Sequence, residues 1–256
     1  SEVTVVEFCK EVLPNLDKDM AKRLRLSLKK KGINILTDSG VKRIEHLEND
    51  ASKVVYENKG KEEIVEADVV LMAVGRTART EIVEDNTIGI TYGKRGIEVD
   101  ENMQTSVPHI YAIGDVNGLC QLAHAATFQG RRALNHILGR KDNIRFDLIP
   151  SAVFTSPQLA SVGLREEDVT EHKPLVYKSF YRANGRALSM DADEGFLKIV
   201  CNEEGRVLGV HIMGEQASEL IHEATVLMNL GGTISQLGDI IHAHPTLSEM
   251  YRAAVS

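Results

Sequence analysis

The sequence predicts a chain of two styles: α/β segments built on a parallel sheet come first, and an α+β unit built on an antiparallel sheet follows. Three observations carry this. The opening reads strand, helix, strand. Residues 67–74 (Ala-Asp-Val-Val-Leu-Met-Ala-Val) are nearly continuously apolar, as a strand buried on both faces of a parallel sheet is. After Pro150 the pattern changes to short strands between turns, with one amphipathic helix.

Taken in order, residues 2–7 read as a strand that begins at once. Pro14 breaks it, Asp17 caps a helix running to Lys31, and Gly32 stops that helix. Met20, Leu24 and Leu28 mark its apolar face. Lys29, Lys30 and Lys31 suit the negative end of its dipole, so this charge run reads as a solvated helix end. A strand follows at 33–36, then a meander of short antiparallel strands at 41–47, 53–57 and 63–65. The apolar run 67–74 closes on Gly75-Arg76. Residues 97–99 and 110–113 are strand-like, and the latter end at Gly114-Asp115. A helix spans 123–138 with Gly139 as its stop, and 141–149 read as a linker. Strands are expected at 152–154, 175–180, 196–201 and 207–213. A helix is expected over 217–230, with Leu220, Ile221, Ala224, Leu227 and Met228 on one face.

Composition narrows the function classes. A net charge of −7 disfavours nucleic acid and anionic membrane surfaces as partners. No apolar run is long enough to span a bilayer, and no signal peptide is visible. Cys9, Cys120 and Cys201 are scattered, which argues for a reducing compartment and against a disulfide scaffold or zinc cluster. Each reads as a small buried hydrophobe. No metal site is expected: His242 and His244 are close, but no third ligand is nearby in sequence.

Two motifs carry chemistry. In His242-Ala243-His244-Pro245-Thr246-Leu247-Ser248-Glu249, an imidazole precedes a proline and a carboxylate follows five positions on. A carboxylate on one ring nitrogen fixes the tautomer and raises the basicity of the other. The same residues also fit a surface loop capped by Thr246 or Ser248 at the start of a last helix. In Thr105-Ser106-Val107-Pro108-His109-Ile110-Tyr111-Ala112-Ile113-Gly114-Asp115, a glycine admits close backbone approach and an Asp points past the strand tip, where ribose or ribityl hydroxyls can sit. The helix opening at Ala123-His124 offers free N–H groups to an electron-rich ligand edge. Glu7, at the tip of the first strand, has the chemistry to accept hydrogen bonds from a nucleotide ribose and favours NAD over NADP.

Ala73-Val74-Gly75-Arg76, then residues 105–115, Leu122-Ala123-His124 and 242–249 occur in the order found in the flavoprotein disulfide reductases, which the chain resembles over nearly its whole length. Within them, the Val-Val-Glu and Leu-Pro-x-x-Asp of residues 5–17 and the stretch 208–214 lean toward the members that oxidise dihydrolipoamide. The resemblance implies partial Rossmann-like segments: a partial NAD-binding domain (1–76), the C-terminal segment of an FAD-binding domain (77–147) and an interface, or dimerisation, domain (148–256). It implies that Glu7 holds the NAD ribose, Val41 lies near the adenine and Gly75-Arg76 close the nicotinamide side. Asp115 then binds the ribityl–phosphate region of FAD, and Ala123 and His124 place a helix start by the flavin ring. His244 is implied as the catalytic base, oriented by Glu249, with a cis peptide allowed before Pro245.

Its implied partners are a second copy, through the C-terminal domain, and lipoyl domains of 2-oxo acid dehydrogenase complexes or the glycine cleavage system. The compartment implied is the cytoplasm, or the mitochondrial matrix in a eukaryote. The family's two Gly-rich loops and its Cys-x-x-x-x-Cys pair are absent from these residues, and Thr77-Ala78-Arg79-Thr80 replaces the usual Pro-Asn after Gly-Arg. The chain is therefore expected to be the C-terminal part of a longer enzyme and inactive alone. Two other readings remain open from sequence: a non-catalytic dimerisation module, or part of a mercuric or glutathione reductase.

Overall fold

The computed structural model describes residues 1–48, 50–81 and 88–256. The elements in chain order are β1 (Thr4–Val6), α1 (Lys18–Lys30), β2 (Asn34–Leu36), β3 (Ser39–His46), β4 (Ser52–Asn58), β5 (Lys61–Ala67), α2 (Ala123–Ile137), β6 (Ser151–Val153), β7 (Gln158–Gly163), β8 (Leu175–Phe180), α3 (Gly185–Ser189), β9 (Phe196–Cys201), β10 (Val207–Gly214), α4 (Ala217–Asn229), α5 (Ile234–Gly238) and α6 (Glu249–Val255). They form two compact units, one of Ser1–Leu71 with Pro150–Ser256 and one of Met72–Ile149. No helix among the described residues is long and apolar enough to cross a membrane.

In the larger unit, β1 and β2 pair in parallel across α1, and β3-β4-β5 form the expected antiparallel meander. A five-stranded antiparallel sheet of order β6-β7-β10-β9-β8 makes the rest of the framework. The mixed α/β and antiparallel architecture is as the sequence predicts. All six residues of β9 are buried, as are all but one of β10. Leu159, Leu197, Ile199 and Ile212 are fully enclosed there, each stabilising the fold by about 1.5–3 kcal/mol relative to exposure. Met20 and Leu24 of α1 join Leu159, Phe196 and Met213 in one apolar cluster, so α1 docks on this sheet. Asp17 caps α1, its Oδ1 accepting from the Asp19 N–H at 3.0 Å.

The same Asp17 anchors a buried ionic cluster. Lys198 of β9, 2% exposed, donates to Asp17 Oδ2 at 2.7 Å, Asp19 Oδ2 at 3.1 Å and Glu166 Oε2 at 2.6 Å. Burial alone disfavours the ammonium, but its hydrogen bonds to Asp17, Glu166 and Asp19 outweigh it and hold Lys198 charged beyond the usual lysine range. Asp19 is likewise disfavoured as a carboxylate by burial, yet hydrogen bonds from Lys178 and Lys198 lower it to about 2.

In the smaller unit α2 packs against a 3-10 turn at Gly114–Asn117.

Several expectations are corrected. Residues 69–74 form no strand. Val69, Leu71, Met72 and Val74 are 82%, 88%, 73% and 86% exposed. A doubly buried strand needs neighbours on both edges and layers on both faces, and no described segment pairs with this one. Residues 97–99 and 110–113 give only isolated bridges, Tyr92 to Ile97 and Gln104 to Tyr111; each pairing is too short to propagate a ladder. The sequence reading also missed β7, whose Ala160 and Ser161 have weak strand propensity and are recruited by pairing with β6 and β10 on either side. Cys201 is buried, as expected of a small hydrophobe, and burial pushes its thiol up to about 12. Cys9 and Cys120 are only half-buried.

Candidate functional site

The C-terminal motif folds into a tight constellation. The His244–Pro245 peptide is cis. His244 Nδ1 lies 3.0 Å from Glu249 Oε1. The other carboxylate oxygen of Glu249 accepts the Thr246 N–H at 2.8 Å. These two contacts, the backbone one first, hold Glu249 below the usual carboxylate range. Thr246 is fixed in turn: its hydroxyl donates to the Ala243 carbonyl at 2.7 Å, and the Asn184 amide donates to the Thr246 carbonyl at 3.0 Å. Ser248 occupies the helix cap position without a side-chain hydrogen bond.

The carboxylate has a rigid carrier. Glu249 opens α6, whose Met250 and Tyr251 are fully enclosed. Ser179 of β8 donates to the Met250 carbonyl at 2.7 Å, and the Tyr251 hydroxyl donates to the Leu220 carbonyl of α4 at 2.7 Å. The His244 side chain itself is 79% exposed. With Nδ1–H directed at Glu249, Nε2 is the free, basic nitrogen and faces solvent. A ring held on one side and open on the other can take a proton from an incoming group.

Other histidines serve different ends. His211 is fully enclosed, with Nδ1 3.1 Å from Ser161 Oγ and Nε2 3.0 Å from the Leu164 carbonyl. Burial lowers its basicity, so it is a satisfied core residue. His136 bonds Tyr111 at 2.9 Å. His242 lies with Nε2 2.7 Å from Glu223 Oε1.

At the tip of β1, Glu7 is half-buried and Oε1 accepts the Cys9 N–H at 2.7 Å, which fixes the carboxylate where the strand ends. Desolvation and this carboxylate push the Cys9 thiol up. The Glu7 carbonyl accepts the Ser39 N–H at 2.9 Å, and the exposed Phe8 ring lies against Gly40. Val41, the next residue, is 46% exposed. Glu7 and Val41 therefore border one open edge of the larger unit, chemically suited to a ribose and an adenine.

The smaller unit assembles the Gly-Asp motif. Gly114 has φ +76° and donates its N–H to Gln129 Oε1 at 2.6 Å. Asn117 donates to the same oxygen and to the Ala112 carbonyl, both at 3.0 Å. Gln129 and Asn117, both buried, thus clamp the turn to α2. They were missed in sequence because no spacing relates them to the motif. Asp115 stays half exposed, with Arg76 Nη1 3.8 Å away. Gly75, at φ +105°, turns the chain just before Arg76. Leu122 caps α2 without a side-chain hydrogen bond, and Ala123 and His124 follow it as the first residues of the helix. A carboxylate and a helix N-terminus are the chemistry that suits the hydroxyl-rich tail and electron-rich ring edge of a flavin nucleotide.

Residues 1–130 match the pyridine nucleotide-disulphide oxidoreductase model, and 149–255 match the dimerisation domain of the same group. The chain belongs to the pyridine nucleotide-disulphide oxidoreductase family. It is 37% identical over 254 residues to a dihydrolipoyl dehydrogenase of Staphylococcus aureus, covering 98% of this chain and 54% of that protein. It is 41% identical over 257 residues to one of Thermus scotoductus, covering 97% and 55%. Among solved structures, LpdA from Mycobacterium tuberculosis superposes with a TM-score of 0.89 at 30% identity, covering 99% of this chain and 55% of that one. The HOCl-induced flavoprotein disulfide reductase RclA from Escherichia coli gives 0.87 at 28%, covering 100% and 59%. The chain thus spans about half the length of the curated relatives it matches.

Proposed function

We propose that this chain supplies the general base and part of the nucleotide-binding surface of an NAD-linked flavoprotein that oxidises dihydrolipoamide to lipoamide. The observation that carries the proposal is the His244–Glu249 pair at 3.0 Å, beside the cis peptide. In this reading His244 Nε2 takes the proton of a dihydrolipoyl thiol, whose unperturbed pKa is about 8.5. The thiolate is the species that attacks a disulfide. Glu249 keeps Nδ1 protonated beforehand and neutralises the imidazolium afterwards. Such help contributes about 10²–10⁴-fold.

When bound, FAD and NAD supply the electron path from the dithiol to the nicotinamide. Residues 1–76, 77–147 and 148–256 correspond to the partial NAD-binding, FAD-binding and interface domains. Glu7 and Val41 take the NAD ribose and adenine, and Gly75-Arg76 the nicotinamide side. Asp115, with Ala123 and His124, takes the flavin nucleotide. The C-terminal domain pairs with a second copy, so His244 serves the partner's substrate, carried on a lipoyl domain. The setting is the cytoplasm, or the mitochondrial matrix in a eukaryote.

The test joins this chain to the N-terminal portion of the dihydrolipoyl dehydrogenase of Geobacillus stearothermophilus, to which it is 38% identical over 254 residues. The fusion is expected to bind FAD and reduce NAD with dihydrolipoamide. His244→Gln is expected to leave flavin content unchanged and to lower turnover by about 10²–10⁴-fold. Unchanged turnover overturns the assignment.

A further inference from the structure

The segment that delivers His244 to its partner is held in an unusual way. Ile241 is 96% exposed, and Ala243, His244 and Pro245 are exposed as well. Among the described residues, 241–245 make no backbone–backbone hydrogen bond. His242 alone turns inward, its side chain 6% exposed, and its Nε2 lies 2.7 Å from Glu223 Oε1 on α4. Its Nδ1 is buried with no partner among the described residues. This contact fixes the ring to α4, and with the Thr246–Ala243 hydrogen bond it holds the chain on either side of Ala243. Glu223 sits in the middle of a thirteen-residue helix whose Leu220, Ile221 and Ala224 are buried, so the anchor point is rigid.

We propose that His242, through Glu223, is a positioning residue for His244. A single residue, Ala243, separates the anchored ring from the exposed one. If the anchor is released, the entry to the cis turn loses its side-chain hydrogen bond to α4, and the His244 ring ceases to meet the Glu249 carboxylate. The inference rests on reading His244 as the base and deepens it: the base is held from two sides, by Glu249 ahead of it in the chain and by the His242–Glu223 pair behind.

The tautomer of His244 reports this directly. Donation from Nδ1 to Glu249 makes the neutral ring Nδ1-protonated, and long-range proton–nitrogen NMR of the ¹⁵N-histidine-labelled chain distinguishes the two tautomers. The wild-type chain is expected to show the Nδ1-protonated pattern for His244. His242→Ala is expected to lose it, and Glu223→Leu likewise. His242→Gln, whose amide can still donate to Glu223, is expected to restore it. His211, enclosed between Ser161 and the Leu164 carbonyl, is the control for folding in every variant. A His244 pattern unchanged in His242→Ala, with His211 intact, overturns the positioning role while leaving the base reading in place. Failure of His242→Gln to restore the pattern also overturns it. A wild-type His244 without the Nδ1-protonated pattern overturns the base reading and this inference together. Should His211 also change in His242→Ala, the Glu223→Leu and His242→Gln spectra decide by the same criteria.

Discussion

The molecule carries two clusters that each pair a basic side chain with carboxylate, and they are built in opposite ways. Lys198 is enclosed, and three carboxylates satisfy its ammonium. His244 is open to water and, among the described residues, satisfied on one nitrogen only. A fully partnered buried ion is committed to the fold, because every change at it leaves a charge without solvent or partner. A half-partnered exposed ring costs the fold little and keeps one site for chemistry. Charge pairing as such does not mark a functional site; an unused valence on a fixed ring does.

The largest effect that could break this comparison is on stability. Lys198→Ala strands Asp17, which is fully buried, and is expected to destabilise the chain by about 3–5 kcal/mol. Urea unfolding followed by circular dichroism measures it. A loss under about 1 kcal/mol, the range of exposed pairs, erases the contrast.

A smaller effect is pH-dependent. Asp19 is lowered to about 2 in the folded chain, against about 3.9 when unfolded. Its contribution is therefore present above about pH 4 and is lost as pH falls through about 2. The difference in urea midpoint between wild type and Asp19→Asn should be constant from pH 7 to 5 and should narrow below pH 4. A difference that does not change with acidity contradicts the ion-pair account.

The smallest expected effect sharpens the comparison from the other side. His244→Gln should change unfolding free energy by no more than about 0.5 kcal/mol, as for a surface substitution without packing or capping roles. A loss comparable with that of Lys198→Ala would make His244 a structural residue.

The site was more legible in the sequence than its supports. His244, Pro245 and Glu249 lie within six residues, so local spacing placed them on one turn. Asp17 was legible as a cap because capping is local, but its bond to Lys198 spans 181 positions and left no periodic trace. The same holds for His242 and Glu223, 19 apart, and for Gln129 beneath Gly114. Strands 175–180 and 196–201 were legible to the residue because turn signals bound them and the fold pairs them with each other. The run 67–74 has the same apolar character and is exposed, since pattern reports a demand for burial and only neighbours can meet it.

The measurement that tests the central claim most directly is the pH dependence of kcat/KM for dihydrolipoamide in the fusion enzyme. A free base is required for the first proton transfer, so wild type should fall with unit slope on the acid side. In His244→Gln that limb should vanish, leaving a low and nearly flat acid profile. The same acid limb in both enzymes would show that another group takes the proton, and would contradict the assignment of His244.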